Sequence, residues 1–362
     1  MKKQTCWLFC ALLLIGALLA GCQPKGVGAP ESGTEGTAAK ESDHPLANKK
    51  IALIIQQNLG TFSAQYIEGV KEQVSKFGGT VTVYVSEGDL AKMASNLDAA
   101  INQGMDAILI DHGTKEALNQ GVEKAMEKGI PVVAFDAGVE VEGVVVLEQG
   151  DQIMADMTLN KLKEDTNGEG NIVKIWVAGF APMERRQVAY SKFLTDNPGI
   201  KEIAAFGAAT ANTALDTQSQ MEAILKQYPN EGDITAVWAA WDEFAKGAVR
   251  AIEQAGRTDI KVYSIDMSDE DLQMMQEENS PWAASAAVDP MDIGRIQVRY
   301  AYQKINGESP EEHVVLEPVF VDVTKLPSQK VTTNELHEYI EGWGVSDQGY
   351  STALKELEDS LK

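Results

Sequence analysis

Two aspartates stand where an open α/β sheet leaves only its strand ends accessible. Asp136 closes GIPVVAFDAG (Gly129 to Gly138), in which Val132 to Phe135 form a continuous apolar run without alternation. That pattern belongs to a parallel strand covered by helices on both faces. Open sheets of this kind put their ligand crevice at the carboxyl ends of the strands, so an acid there is a candidate binding group. On this strand alone a helix N-cap explains the aspartate equally well. A second copy shifts the balance. AKGAVRAIEQAGRTDIKVYSIDM (Ala245 to Met267) repeats the logic of ALNQGVEKAMEKGIPVVAFDA (Ala117 to Ala137): helix, glycine stop, buried strand, aspartate. Gly129 and Gly256 sit where a helix ends in the left-handed conformation, and Asp136 and Asp266 close the strands that follow. Two α/β lobes, each offering one carboxylate, imply a cleft between them.

Paired carboxylates also perform acid–base and glycosidase chemistry. Here they fall on separate lobes and no partner set accompanies them. His44 lies in a polar leading segment, His313 and His337 are isolated, and no serine elbow, phosphate loop or metal-ligand spacing occurs. His112 ends a strand that faces the same cleft, although a satisfied loop histidine is the commoner case. The residue set therefore suits binding without catalysis, with no cofactor and no metal.

The elements that must position these groups alternate regularly. Ile51 to Ile55 is a buried strand, and Thr61 to Phe77 carries Phe62, Tyr66, Val70, Val74 and Phe77 at helical spacing. Strands at Val81 to Val85, Ala107 to Ile110, Val132 to Phe135 and Val144 to Leu147 alternate with helices over 90–102 and 115–127. The pattern then restarts, with strands at Ile172 to Val177, 202–206, 235–238, 260–265 and 283–288 between helices over 152–164, 183–195, 213–227, 243–255 and 269–278. Strictly alternating elements imply parallel sheets with right-handed crossovers. The expected fold is α/β, with two Rossmann-like, doubly wound parallel-sheet lobes. A further helix over Met291 to Asn306 precedes one apolar strand near Val314 to Val321. Residues from Val331 onward are acidic and weakly patterned, and read as a surface helix and tail without chemistry.

At 362 residues the chain exceeds the roughly 250 to 300 at which single cores divide. It opens with Lys2 and Lys3 and the uncharged run Trp7 to Ala20, too short to span a bilayer and suited to a secretory signal. Leu19-Ala20-Gly21-Cys22 resembles the lipobox of bacterial lipoproteins, which implies lipidation of Cys22. All three cysteines lie at or before this point, so the mature chain has no disulfide framework. Gln23 to Asn48 is rich in Gly, Pro, Ser, Thr, Ala and Glu and reads as a disordered tether. Removing residues 1–21, whose only charges are two lysines, takes the formal charge from −23 to −25. That argues against nucleic acid and anionic lipid surfaces as partners.

Lipobox, tether and matched lobes together resemble the sugar-binding receptors of bacterial ABC importers, the ribose- and galactose-binding type (periplasmic binding protein type I). The resemblance runs from about Lys50 to Val323 through QGMDAILI (Gln103 to Ile110), KGIPVVAFD (Lys128 to Asp136), ERRQVAY (Glu184 to Tyr190), AAWDEFAKGAVRAIEQAG (Ala239 to Gly256) and VYSID (Val262 to Asp266). It implies three hinge crossings, near Gln149, Val288 and Leu316. The implied division is 49–149 plus 289–316 for one lobe, 150–288 plus 317–330 for the other, and 331–362 for the tail. Ligand contacts carried over by position are Phe62, Asp136, Arg186 and Asp266, with Gln149 and His112 at strand ends of the same cleft. A sugar's vicinal hydroxyls donate to carboxylates and accept from a guanidinium fork, while its C–H face packs on an aromatic ring. By themselves, Phe62 would be a core staple and Arg186 a surface partner of Glu184. The chain departs from the receptors at Ala137, where they carry Arg, and at Trp241, where they carry Asn. The family's amide in the third crossing falls on Val288, with Asp289 beside it. The resemblance implies a monomeric extracytoplasmic receptor, held at the membrane by its lipid, that delivers a monosaccharide or similar polyhydroxylated molecule to a permease. A receptor passing a sugar-like signal to a membrane sensor is the alternative.

Overall fold

A computed structural model describes residues 44–361; Cys22 and most of the expected tether lie outside them. In chain order the first part runs β1 (Lys50–Ile55), α1 (Gly60–Ser75), β2 (Thr80–Val85), α2 (Leu90–Asn102), β3 (Ala107–Asp111), α3 (Lys115–Glu127), β4 (Val132–Phe135) and β5 (Val145–Gln149). The second runs α4 (Asp151–Asp165), β6 (Gly170–Ile175), α5 (Ala181–Asp196), β7 (Ile200–Phe206), α6 (Thr213–Gln227), β8 (Ala236–Ala239), α7 (Asp242–Gln254), β9 (Lys261–Ile265), α8 (Asp269–Met275) and β10 (Trp282–Ala287). Then come α9 (Pro290–Ile305), β11 (His313–Leu316), β12 (Val319–Asp322) and α10 (Thr352–Ser360).

Two six-stranded sheets result, in the orders β11-β5-β4-β3-β1-β2 and β12-β10-β9-β8-β6-β7. Every pairing is parallel except β12, which runs antiparallel to β10. The central strands are apolar on both faces because helices cover both, and Ile51 through Ile55 are all fully buried. The chain passes between sheets after β5, after β10 and between β11 and β12. The last passage divides the single strand read near Val314 to Val321. Pro318 cannot donate to a ladder, so Leu316 ends one sheet edge and Val319 begins the other.

Helix α9 returns to the first lobe and crosses α1 closely enough that both contact points are glycine. A Cβ on Gly69 would lie 2.1 Å from the Met291 carbonyl oxygen, and one on Gly294 2.4 Å from that of Tyr66. Gln297 fastens this helix to the sheet by donating to the carbonyls of Ile110 (3.0 Å) and Val133 (2.9 Å).

The last thirty residues are not the surface appendage read from sequence. Val331, Leu336, Ile340 and Trp343 enter the core of the second lobe, and Leu354 enters that of the first. Trp343 Nε1 donates to the Thr333 carbonyl at 2.9 Å. Gln348 and Ser346 carbonyls accept from Arg299, and that of Gly349 from Gln303. From Val331 to Trp343 the apolar residues follow no helical period because the backbone there is turns and a short 3-10 segment, whereas Leu354 sits on α10. The chain thus passes between the lobes a fourth time, at Gly342 to Ser346.

Candidate functional site

Between the carboxyl ends of the two sheets lies a cavity with about 790 Å³ of space, its mouth included. The first lobe contributes Gln56, Asp111, His112 and Gln149 from strand ends, and Phe62, Ser63 and Tyr66 from α1. The second contributes Val177, Trp241 and Asp266 from its strand ends, and Phe180, Pro182, Met183 and Arg186 from the start of α5. Pro182 suits the first turn of that helix, where its missing N–H has no partner to lose.

The aspartates are held alike by the backbone. Asp136 (φ 47°) and Asp266 (φ 73°) both adopt the left-handed conformation. Each amide donates to the neighbouring strand, to Leu147 O and Ala286 O, at 2.9 Å in both cases. This turns each side chain out of the sheet and into the cleft region. Asp266 receives both ends of the Arg186 guanidinium, at 2.9 and 3.2 Å. Arg186 is 1 % exposed and also donates to Asp151 Oδ1 at 2.7 Å and to the Ala240 carbonyl at 2.6 Å. Burial works against its charge, but Asp266 and Asp151 outweigh it and raise its pKa further. The plainer pairing with Glu184 does not form; that carboxylate accepts from the Gly179 amide at 2.9 Å.

Asp136 sits differently. It walls an adjoining recess shared with His112, Gln56 and Phe180, and meets the main cavity through Gln149, whose Nε2 donates to its Oδ2 at 3.4 Å. Burial and the neighbouring Asp151 push its carboxyl up to about 7, against the pull of Arg185, His112 and Arg186. His112 donates or accepts at 2.6 Å with Asp111 and meets the ring of Phe180 from the other lobe edge-on. Burial disfavours its imidazolium, yet Asp111 and Asp136 raise it to about 9. Gln149 is 4 % exposed, and its Oε1 is buried with no partner.

Of the residues singled out by sequence, Phe62, His112, Gln149, Arg186, Trp241 and Asp266 line one cavity. Asp289 is not brought there. It caps α9 by accepting from the Met291 amide at 3.0 Å, and burial together with Asp292 raises it to about 7. Sequence reasoning passed over Asp151, which holds both Arg185 and Arg186, and Arg185 itself. Their signals were the acid opening a helix directly after a strand and the doubled arginine in ERRQVAY.

The lobes touch around the cavity. Thr61 donates to Glu270 at 3.3 Å, and Gln65 bonds to the Asp269 amide and the Thr333 hydroxyl at 2.9 and 2.7 Å. Two doubly wound lobes closed over an aromatic cavity with buried hydrogen-bonding groups define a solute-binding protein that encloses a small molecule. The chain belongs to the periplasmic binding protein family, matching its "Periplasmic binding protein domain" over residues 51–309. It is similar to a sugar ABC transporter structure from Yersinia enterocolitica (36 % identity, TM-score 0.83, covering 87 % of this chain and 96 % of that one). A 5-methylthioribose transporter solute-binding protein from Thermotoga lettingae, in complex with 5-methylthioribose, gives 37 % identity and TM-score 0.82, covering 86 % and 98 %. The ribose import binding protein of Bacillus subtilis is 27 % identical over 274 residues, 74 % of this chain and 86 % of the relative. Membership places the protein outside the cytoplasm and among binding proteins, not enzymes. No described helix is long and apolar enough to cross a membrane.

Proposed function

We propose that the protein captures a monosaccharide, or a similar polyhydroxylated molecule, bearing an apolar portion, and delivers it to the permease of an ABC importer. The observation that carries this is Gln149 Oε1. A buried acceptor without a donor costs free energy, and a ligand hydroxyl is the group that would satisfy it. Asp266 keeps lone pairs beyond those Arg186 occupies, and His112 presents a second nitrogen, so hydroxyls find partners on both lobes. Gln56, Gln57, Ser63 and Asp111 add further polar groups, and beside them lies an apolar portion of the lining: Phe62 and Trp241 offer ring faces, and Val177, Phe180 and Met183 offer surface that pairs with no hydroxyl. An unsubstituted sugar would leave that side poorly matched; a deoxy or alkylthio substituent would fill it. The sugar names of the relatives support the same class.

A thermal-shift screen with ribose, xylitol and 5-methylthioribose tests the reading. A native-state ligand at a hundredfold excess over Kd adds about 2.7 kcal/mol of stability. We expect the largest shift from 5-methylthioribose; no shift with any of the three would reject the ligand class. We further propose that Cys22 is lipidated and holds the receptor at the membrane. Cys22→Ala should release the protein or leave an unprocessed precursor, and a processed variant still in the membrane fraction would contradict the anchor.

A further inference from the structure

Asp136 ends a strand of the first lobe, yet its carboxylate is gripped from the second. Arg185 on α5 donates through Nη2 to Asp136 and through Nε to Asp151 Oδ2 at 2.7 Å, and its Nη1 lies 3.3 Å from Glu148 Oε2. Asp151 opens α4, which packs beside α5 and over β9 and β10. The guanidinium is therefore braced on its own lobe and reaches across the cleft. Arg185 itself is absent from the cavity lining. Its reach into the cavity is indirect, through Asp136 to Gln149 Nε2, and so to the unpartnered Oε1 of that amide.

We propose that Arg185 is a positioning residue: a cross-lobe clasp that holds the lobes shut through Asp136 and, through the same carboxylate, turns Gln149 Oε1 toward a ligand hydroxyl. An ionised carboxylate only accepts hydrogen bonds. It therefore selects the NH₂ end of the Gln149 amide and leaves the oxygen for the cavity. Without Arg185, burial and Asp151 act on Asp136 with less opposition. The carboxyl is then no longer held in place as an acceptor by the guanidinium, and no longer fixes which end of the amide faces it.

A contact present only in the closed state shifts the open–closed equilibrium by its own differential free energy. Apparent affinity scales with the closed fraction, so such a contact strengthens every ligand by one common factor. The orienting half of the proposal rests on the ligand reading above; the closing half does not.

The test uses the full chain with Arg185→Met, Arg185→Lys, Asp136→Asn and the Arg185→Met/Asp136→Asn pair. Small-angle scattering without ligand should give a larger radius of gyration for Arg185→Met and a return toward wild type for Arg185→Lys. An unchanged radius in Arg185→Met overturns the clasp. Titration with ribose and with 5-methylthioribose should show both weakened in Arg185→Met by the same factor, about tenfold or more. The double variant should be no weaker than the worse single one. Losses that multiply in the double variant, or a changed ratio between the two sugars, would show that Arg185 acts by another route. If the wild type binds neither sugar, the ligand reading falls, while the scattering comparison still decides the clasp.

Discussion

Strands β4 and β9 end in the same way and do different things. Both finish on an aspartate with positive φ, and both fix it with an amide bond to the next strand at 2.9 Å. What differs is the address of the arginine. Asp266 is gripped by Arg186 of its own lobe, which is 1 % exposed and satisfied four times over. Asp136 is gripped by Arg185 of the opposite lobe, one residue earlier on the same helix. The first pair persists whatever the lobes do; the second exists only when they meet. Consecutive residues on a helix point about 100° apart, which is how one turn of α5 serves both the wall of a cavity and the rim of a cleft.

The comparison breaks most readily through stability without ligand. Arg186→Met leaves Asp151 and Asp266 buried and short of a partner, and removing one member of a buried ion pair costs about 3 to 5 kcal/mol. Arg185→Met should cost well under half of that, since its side chain is 25 % exposed and water can replace it. Urea unfolding measures both, and equal losses would abolish the distinction between a lasting and a conditional pair.

Asp289 sharpens the contrast as a buried aspartate whose nearby arginine, Arg295, bonds to Asp292 and Glu72 instead. Its carboxyl titrates at about 7 in the folded chain, against about 3.9 unfolded. The folded state therefore binds more protons between those values, so this group costs nothing below about pH 4 and lowers stability progressively as pH rises to about 7. A tenfold difference in proton affinity between the two states is worth about 1.4 kcal/mol. Asp289→Asn keeps an N-cap and removes the titration, so it should gain on wild type by up to a few kcal/mol at pH 8 and show no advantage at pH 4. A difference between the two proteins that does not vary with pH would mean the carboxyl is not buried as described.

The smallest effect belongs to Trp241, which meets Phe244 edge-on at 5.3 Å and offers its ring to the cavity. Trp241→Asn should weaken 5-methylthioribose severalfold, in keeping with about 0.5 to 1.5 kcal/mol for an aromatic contact, while weakening ribose less. Calorimetric titration of the two sugars decides it; equal losses would place the indole outside the ligand's apolar side.

The parts of this architecture legible in the sequence are those with a short-range cause. Unbroken apolar runs such as Ile51 to Ile55 announce strands buried on both faces, and an aspartate directly after such a run can only emerge at a sheet end. Phe62 and Arg186 could be proposed only through the resemblance to the sugar receptors, and Trp241 through that resemblance together with its place at the mouth of a buried strand. What escaped depends on partners far along the chain. Nothing near Arg185 distinguishes it from Arg186; Asp136, 49 positions away, does. Asp151 looked like an ordinary acid in a helix's first turn. The segment after Val331 escaped because its apolar residues fill gaps left by two separate cores and need no period of their own.

The same segment sets the order in which the molecule can assemble. The first sheet lacks one of its two edge strands until β11 is made, and the second until β12 is made. Helix α1 lacks its main helical neighbour until α9 arrives, as in the bond from Tyr66 to Gln297, 231 positions later. Leu354 closes the first core only eight residues before the end of the chain. Contacts of such long sequence separation form slowly, because loop-closure entropy must be overcome before they stabilise anything. Each lobe thus reaches its native packing only when segments from β11 onward have joined it, and a single late stretch of chain couples the completion of both.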